Sequence, residues 1–154
     1  MSAADTDFPT AGRFVGREHR FPVRVYFEDT DFSGVVYHAN YLRFMERARS
    51  DMLRVAGIDQ RAAFEGAEGV YAVADMSIHY KRPAHFDDAL LIVSTVEALR
   101  AAACIIQQRI WRGDELIVDA RVTAAFITRE GRPRRQPQPW VDAFTRLLPN
   151  QISD

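Results

Sequence analysis

The chain has 154 residues, 47% of them hydrophobic and 27% charged, the balance of one soluble globular domain with enough apolar residues to bury a core. Its 20 basic and 21 acidic residues leave a formal net charge of -1, which excludes a general nucleic-acid binder. The single cysteine, Cys104, excludes an internal disulfide framework and fits a reducing compartment, and no apolar run approaches the roughly 18 residues of a membrane span.

Residues 1–20 are polar and carry Pro9, Gly12 and Gly16, so they read as a flexible N-terminal arm. They lack the apolar segment of a secretory signal, and the expected location is cytoplasmic, without membrane insertion. In "FPVRVYFED", Val23, Val25 and Phe27 alternate with Arg24, Tyr26 and Glu28, the period of a half-buried strand. An acidic turn with Asp29 and Asp31 follows. Tyr41, Phe44, Met45, Ala48, Met52 and Val55 then recur at helical spacing, with Arg43, Glu46, Arg47, Ser50, Asp51 and Arg54 between them, and Gly57 stops the helix.

Alternation returns after Gly69. Val70, Ala72, Ala74, Met76, Ile78 and Tyr80 are expected on one strand face, opposite Tyr71, Val73, Asp75, Ser77, His79 and Lys81. "LLIVSTVEAL", "ACIIQQRIW" and "ELIVDARVTAAFIT" read as three more strands, the last two joined by a hairpin at Arg112-Gly113-Asp114. Residues 138–154 form a proline-broken tail with weak helical character. The order strand, long helix, four strands predicts an α+β domain: an antiparallel five-stranded sheet wrapped around one long central helix over residues 21–137.

On spacing alone, Asp29 and Asp31 suit a turn and the positive end of a helix dipole. They have no neighbouring set of metal ligands, and no metal or other cofactor is expected. The segment "DTDFSGVVYHANYLRFMERAR" strongly resembles the active-site segment of hotdog-fold acyl-CoA thioesterases of the 4-hydroxybenzoyl-CoA thioesterase type, in particular the YbgC-like, Tol-Pal-associated group. "VRVYFEDTD", "YKRPAHFDD" and "GRPRRQP" follow the same family in order, so the resemblance spans Phe21 to Pro137.

The resemblance implies hydrolysis of short-chain or aromatic acyl-CoA to free acid and CoA, in a homodimer or homotetramer. Acyl carrier protein and Tol-Pal-associated proteins are the partners it suggests. It assigns the catalytic carboxylate to Asp31, as nucleophile or general base, and carbonyl polarisation to the backbone at His38. The His38 imidazole is a further candidate for hydrogen bonding or proton transfer. The developing oxyanion would rest on unpaired amides at the helix start.

Gly34 is expected to allow close backbone approach, and Tyr37 lies within the motif. Phosphate contacts are expected from Lys81, Arg82, Arg100, Arg134 and Arg135, with Arg132 beside them, as a basic rim. Glu46, among Arg43, Arg47 and Arg49, reads as a surface ion pair; Asp87 and Asp88 as a turn; His19, His79 and His85 as surface or structural; Cys104 as a packed thiol. A hotdog dehydratase or hydratase, and a non-catalytic acyl-carrier or envelope-complex binding module, are the rival readings.

Overall fold

The computed structural model describes residues 7–9 and 11–149. Parts of the expected N-terminal arm and C-terminal tail, residues 1–6, 10 and 150–154, lie outside the described residues. Six strands form one antiparallel sheet: β1 (Arg13–Val15), β2 (Glu18–Arg24), β3 (Val70–Tyr80), β4 (Ala89–Arg100), β5 (Ala103–Arg112) and β6 (Glu115–Ile127). Their spatial order is β1-β2-β4-β5-β6-β3, so short β1 and long β3 are the edges. The helices are α1 (Asn40–Val55), α2 (Gln60–Glu65) and α3 (Gln138–Thr145). The C-terminal tail thus supplies a real helix.

The sheet has six strands where five were expected, and the difference lies in the supposed arm. Residues 13–15 and 18–20 pair as strands, held down by a buried polar anchor. Asp51 Oδ2 accepts from Gly12 N at 2.8 Å and contacts His19 Nε2 at 2.7 Å. A Cβ at residue 12 would lie 2.5 Å from Arg20 O, so only glycine lets the chain pass so close. His19 is fully buried and Asp51 nearly so, although the helical pattern placed Asp51 among the polar positions. Leu53 is buried instead of Val55, which is 40% exposed.

The core of α1 (Tyr41, Phe44, Met45 and Ala48) packs on Leu90, Ile92, Ile110, Val118 and Ala120 of the sheet. A second cluster joins Met52 and Leu53 to Val96, Cys104, Ile106 and Phe144 of α3. Gly57, at φ +89°, closes α1: Gly57 N donates to Arg54 O and Ile58 N to Leu53 O, satisfying two terminal carbonyls.

Strict alternation fails in β3. Val73 pairs with Ala124 and Asp75 with Thr123, so Ala74 is an extra residue, a β-bulge. Opposed residues share a face, so Tyr71 and Val73 precede the bulge on the helix side, and Met76, Ile78 and Tyr80 follow it there. Tyr71 accordingly packs against the Met52 cluster. A second irregularity, between Ile110 and Trp111, leaves Ile117 extra and buried. The β5–β6 hairpin turns where expected, with Arg112 opposite Glu115.

Candidate active site

The acidic turn is built by its own backbone. Asp29 N donates to Tyr26 O and Thr30 N to Phe27 O, forming one short 3-10 turn over Phe27–Asp29. Asp29 is buried, and its two carboxylate oxygens point in opposite directions along the chain. Oδ2 accepts from Tyr26 N and Oδ1 from Asn40 Nδ2, each at 2.8 Å, while Asp29 O accepts from Tyr37 N at 2.9 Å. Asp29 therefore ties the turn to the first residue of α1. Both of its carboxylate oxygens are engaged within the protein.

Asp31 has the opposite character. It is exposed, and Oδ1 accepts from Ser33 N at 2.8 Å and from Ser33 Oγ at 2.6 Å. These bonds, chiefly the one from the Ser33 hydroxyl, hold its carboxyl below the ordinary carboxylate range, and a protonated His38 adds in the same direction. The group is ionised at neutral pH and faces outward. Gly34 sits at φ +87°, the left-handed region that favours glycine, and a Cβ there would meet nothing within 4 Å. The positive φ gives Gly34 a conformational role beside the expected close approach of a substrate. The turn lets Asp31 N donate to Val35 O at 2.8 Å and Gly34 N to Asp31 O at 3.0 Å.

The second wall comes from the segment after β3. Val36 N donates to Ala84 O at 2.8 Å, Val35 bridges to His85, and Ala84 N donates to Tyr41 Oη. Tyr80 Oη donates to His38 O at 3.0 Å and its ring stands edge-on to the His38 imidazole. Sequence reasoning passed over both Ser33 and Tyr80. Ser33 was signalled by its position two residues after an acid, where a hydroxyl bonds back; Tyr80 had no local signal, because 42 residues separate it from His38.

At the helix start Ala39 caps α1 without any side-chain bond. Tyr37 N and Asn40 N have backbone acceptors; the amides of His38 and Ala39, between them, have none among the described residues. An ionised carboxylate thus stands before a helix end whose N–H groups are open to an acceptor, the arrangement needed to stabilise negative charge on a carbonyl under attack. Tyr37 is 49% exposed beside His38, with ring centroids 4.6 Å apart.

The expected basic rim does not form within one chain. Lys81 and Arg82 follow Tyr80 directly and lie at the Asp31 end; Arg82 also approaches Glu115 at 3.9 Å. Arg100 and the 132–135 segment lie at the other end of β3, where Val70 pairs with Ile127 and Arg134 N donates to Phe126 O. The ten-residue span from Val70 to Tyr80 separates these groups by roughly 30 Å. Extended-strand geometry is the reason: a charge at each end of one long strand cannot share a ligand that sits at one end.

The other sequence readings resolve simply. Asp87 and Asp88 form the expected turn, with Asp88 also bound to Arg112 at 2.8 Å. Glu46 is in no ion pair among the described residues; its partner is the Ser50 hydroxyl at 2.9 Å. Arg49, one turn on, is directed instead to Gln108 Oε1 at 2.9 Å. Cys104 is buried, and desolvation pushes its thiol up to about 12, which suits packing and not attack. No cluster of three or more metal-ligating side chains occurs among the described residues.

A family model described as the Thioesterase-like superfamily matches residues 25–147. The chain belongs to that superfamily. The acyl-CoA thioester hydrolase YbgC of Escherichia coli O6:H1 is 40% identical over 128 residues, covering 81% of this chain and 94% of the relative. The crystal structure of a probable thioesterase from Bartonella henselae superposes with a TM-score of 0.75 at 43% identity, covering 78% of this chain and 99% of that one. A 1,4-dihydroxy-2-naphthoyl-CoA thioesterase from Synechocystis, at 24% identity and TM-score 0.77, covers 83% of this chain and 96% of its own and shares the hotdog fold. The sheet-and-helix arrangement and the superfamily resemblance read from the sequence agree with these matches.

Proposed function

We propose that this thioesterase-superfamily chain hydrolyses acyl-CoA thioesters to a free acid and CoA, with Asp31 as the reacting carboxylate. The observation that carries the reading is the pairing of an exposed, ionised Asp31, held on Oδ1 by Ser33, with the uncapped start of α1. The thioester carbonyl rests on the His38 and Ala39 amides. Asp31 either takes a proton from an attacking water, so that the C–S bond breaks to give the free acid and CoA thiolate, or attacks the carbonyl carbon itself. In the second case CoA thiolate is expelled and an acyl anhydride forms, which water then cleaves to the acid and the free carboxylate. The likeness to the E. coli acyl-CoA thioester hydrolase supports acyl-CoA as the carrier. Short-chain and aromatic acyl groups, acyl carrier protein as a second carrier, and Tol-Pal-type partners rest on the family likeness, as does a cytoplasmic location. Among the described residues no helix is long and apolar enough to cross a membrane.

The working unit is a homo-oligomer paired through β3. This edge runs 11 residues, against three in β1, and an exposed strand of that length offers unpaired amides and carbonyls to another copy. Antiparallel pairing about a two-fold axis sets the Val70 end of one β3 beside the Tyr80 end of the next. That brings the partner's Arg100, Arg134 and Arg135 toward Lys81 and Arg82, assembling from two chains the phosphate-binding set that one chain separates.

Turnover of an acyl-CoA panel, with released CoA measured, tests the function. Release of CoA with saturable kinetics supports it. Hydration or dehydration of the acyl group without CoA release would favour the dehydratase reading, and binding without turnover the binding-module reading.

A further inference from the structure

The two open amides at the start of α1 belong to consecutive peptide units, and the carbonyl at the other end of each unit is held in a different way. His38 N shares its unit with Tyr37 O, which accepts from Asn40 N at 2.7 Å inside the turn. Ala39 N shares its unit with His38 O, which no backbone amide takes among the described residues; Leu42 N goes to Ala39 O instead. The donor that meets His38 O is the Tyr80 hydroxyl, at 3.0 Å. A peptide unit is planar, and in its trans form the carbonyl and the N–H point in opposite directions, so a group that holds one sets the other. No cis peptide bond occurs among the described residues. We infer that Tyr80 is a positioning residue for the thioester carbonyl: by bonding to His38 O it fixes and polarises the peptide whose N–H is that of Ala39. The inference rests on the thioesterase reading and adds to it a residue of β3 that acts through the backbone of the helix start.

Two further observations support it. The phenol is carried by a fixed strand end. Tyr80 pairs with Val118 in the β3–β6 ladder, and Lys81 N donates to Ile117 O at 2.8 Å. The phenol ring is also packed, 5.8 Å from the ring of buried Tyr41 and edge-on to His38 at 6.3 Å. A rigid sheet element thus holds a turn that Ala39 caps without any side-chain bond. Donation to the carbonyl has an electronic effect as well. Hydrogen bonds in a chain polarise one another, so a donor on His38 O makes the Ala39 N–H a stronger donor on the far side. An oxyanion exists only on the way through the reaction, so the gain belongs to kcat and not to substrate binding.

Tyr80→Phe keeps the ring and removes only the hydroxyl. Wild type and variant are assayed for CoA release from acetyl-, butyryl-, octanoyl- and benzoyl-CoA, with kcat and KM separated on the substrate that the wild type turns over fastest. Thermal unfolding confirms that both are folded. kcat is expected to fall about two- to tenfold, the worth of one neutral hydrogen bond, with KM nearly unchanged. The loss is smaller than the roughly 10²–10³-fold of a direct oxyanion donor, because Tyr80 acts through the peptide. It should be the same at every pH, since Tyr80 exchanges no proton with the substrate. The amide nitrogen NMR resonance of Ala39 should move in the variant, and that of Gly57 at the other end of α1 should not. An unchanged kcat in the folded variant, or an unmoved Ala39 resonance, would overturn the inference. A raised KM with kcat intact would overturn it too, by making Tyr80 a binding contact, as would loss of one limb of the pH profile, by making it a proton donor. If the wild type releases CoA from none of the four substrates, the thioesterase reading itself fails, and this inference with it.

Discussion

The two ends of α1 are built on opposite plans. At its start the chain leaves aromatic side chains in solvent: Phe27 is 77% exposed and stacks on Phe86, and Phe32 is fully exposed. Asp31 is held there by a neighbour two residues away. At its other end Arg54 and Val55 face solvent, but the groups beneath them are tied over long range, by His19 to Asp51, Tyr71 to Gln136, and Phe144 into the Met52 cluster. The first region combines local turns with bridges to Tyr80, Ala84 and His85, and leaves Asp31 exposed. The second is assembled from contacts distant in sequence and gives the fold its rigidity. The candidate reacting carboxylate lies where packing is least, and the enclosed polar groups lie at the far end of α1.

Substitutions at the two aspartates of the turn should separate these plans most strongly. Asp31→Asn removes the charge needed to attack the carbonyl or to take a proton, and kcat should fall on the order of 10²–10⁴-fold if Asp31 is a general base. Thermal unfolding should hardly change, because the side chain is exposed. Asp29→Asn should do the reverse, costing about 1–2 kcal/mol of stability through weakened bonds to Tyr26 N and Asn40, with a much smaller change in kcat. Equal, modest stability losses in both variants with turnover intact would remove Asp31 from the chemistry.

Asp51→Ala tests the closed end. It strands buried His19 and the Gly12 amide, and should destabilise the chain by about 3 kcal/mol in chemical unfolding. The same pair predicts a pH dependence. Burial lowers the His19 pKa from its ordinary 6.5, with Asp51 opposing that shift. The Nδ1 atom has no partner among the described residues, which suits a neutral ring whose Nε2–H donates to Asp51. Below pH 6.5 the unfolded chain then binds a proton that the folded chain does not. Stability should therefore decline on acidification below that pH and be fully present above it. Catalysis should tolerate the same range, since the Asp31 carboxyl lies below its ordinary 3.8. An unfolding profile flat from pH 7 to 5 would show that His19 does not titrate differently on folding.

The contrast also explains what was legible in the sequence. The acidic turn, Gly34 and the helix start lie within one continuous motif, so residues 28–49 were readable together. The strand order followed from alternation and hairpin spacing. Residues 13–20, β1 and the start of β2, read as an arm, while Phe21–Arg24 read as strand, because the anchor Asp51 lies 39 residues from Gly12 at a position that looks solvent-facing. The face of β3 was misassigned because an inserted residue, Ala74, reverses the alternation without any change in composition. The basic residues looked like one rim because a linear reading does not register that β3 holds them roughly 30 Å apart.

The smallest expected effect concerns those residues. Replacing Arg134 and Arg135 together with alanine should raise KM for acyl-CoA several-fold and spare kcat, because phosphate contacts are equal in the ground and transition states. The effect should shrink with added salt, since both side chains are exposed. An unchanged KM would return both to the role of solvated surface charges.

The most direct measurement of whether two copies complete one site is light scattering across a dilution series, with specific activity followed in the same samples. The account predicts particles of at least twice the 17.5 kDa chain mass, and activity that falls as dilution separates the copies. A folded monomer with full acyl-CoA turnover would contradict it.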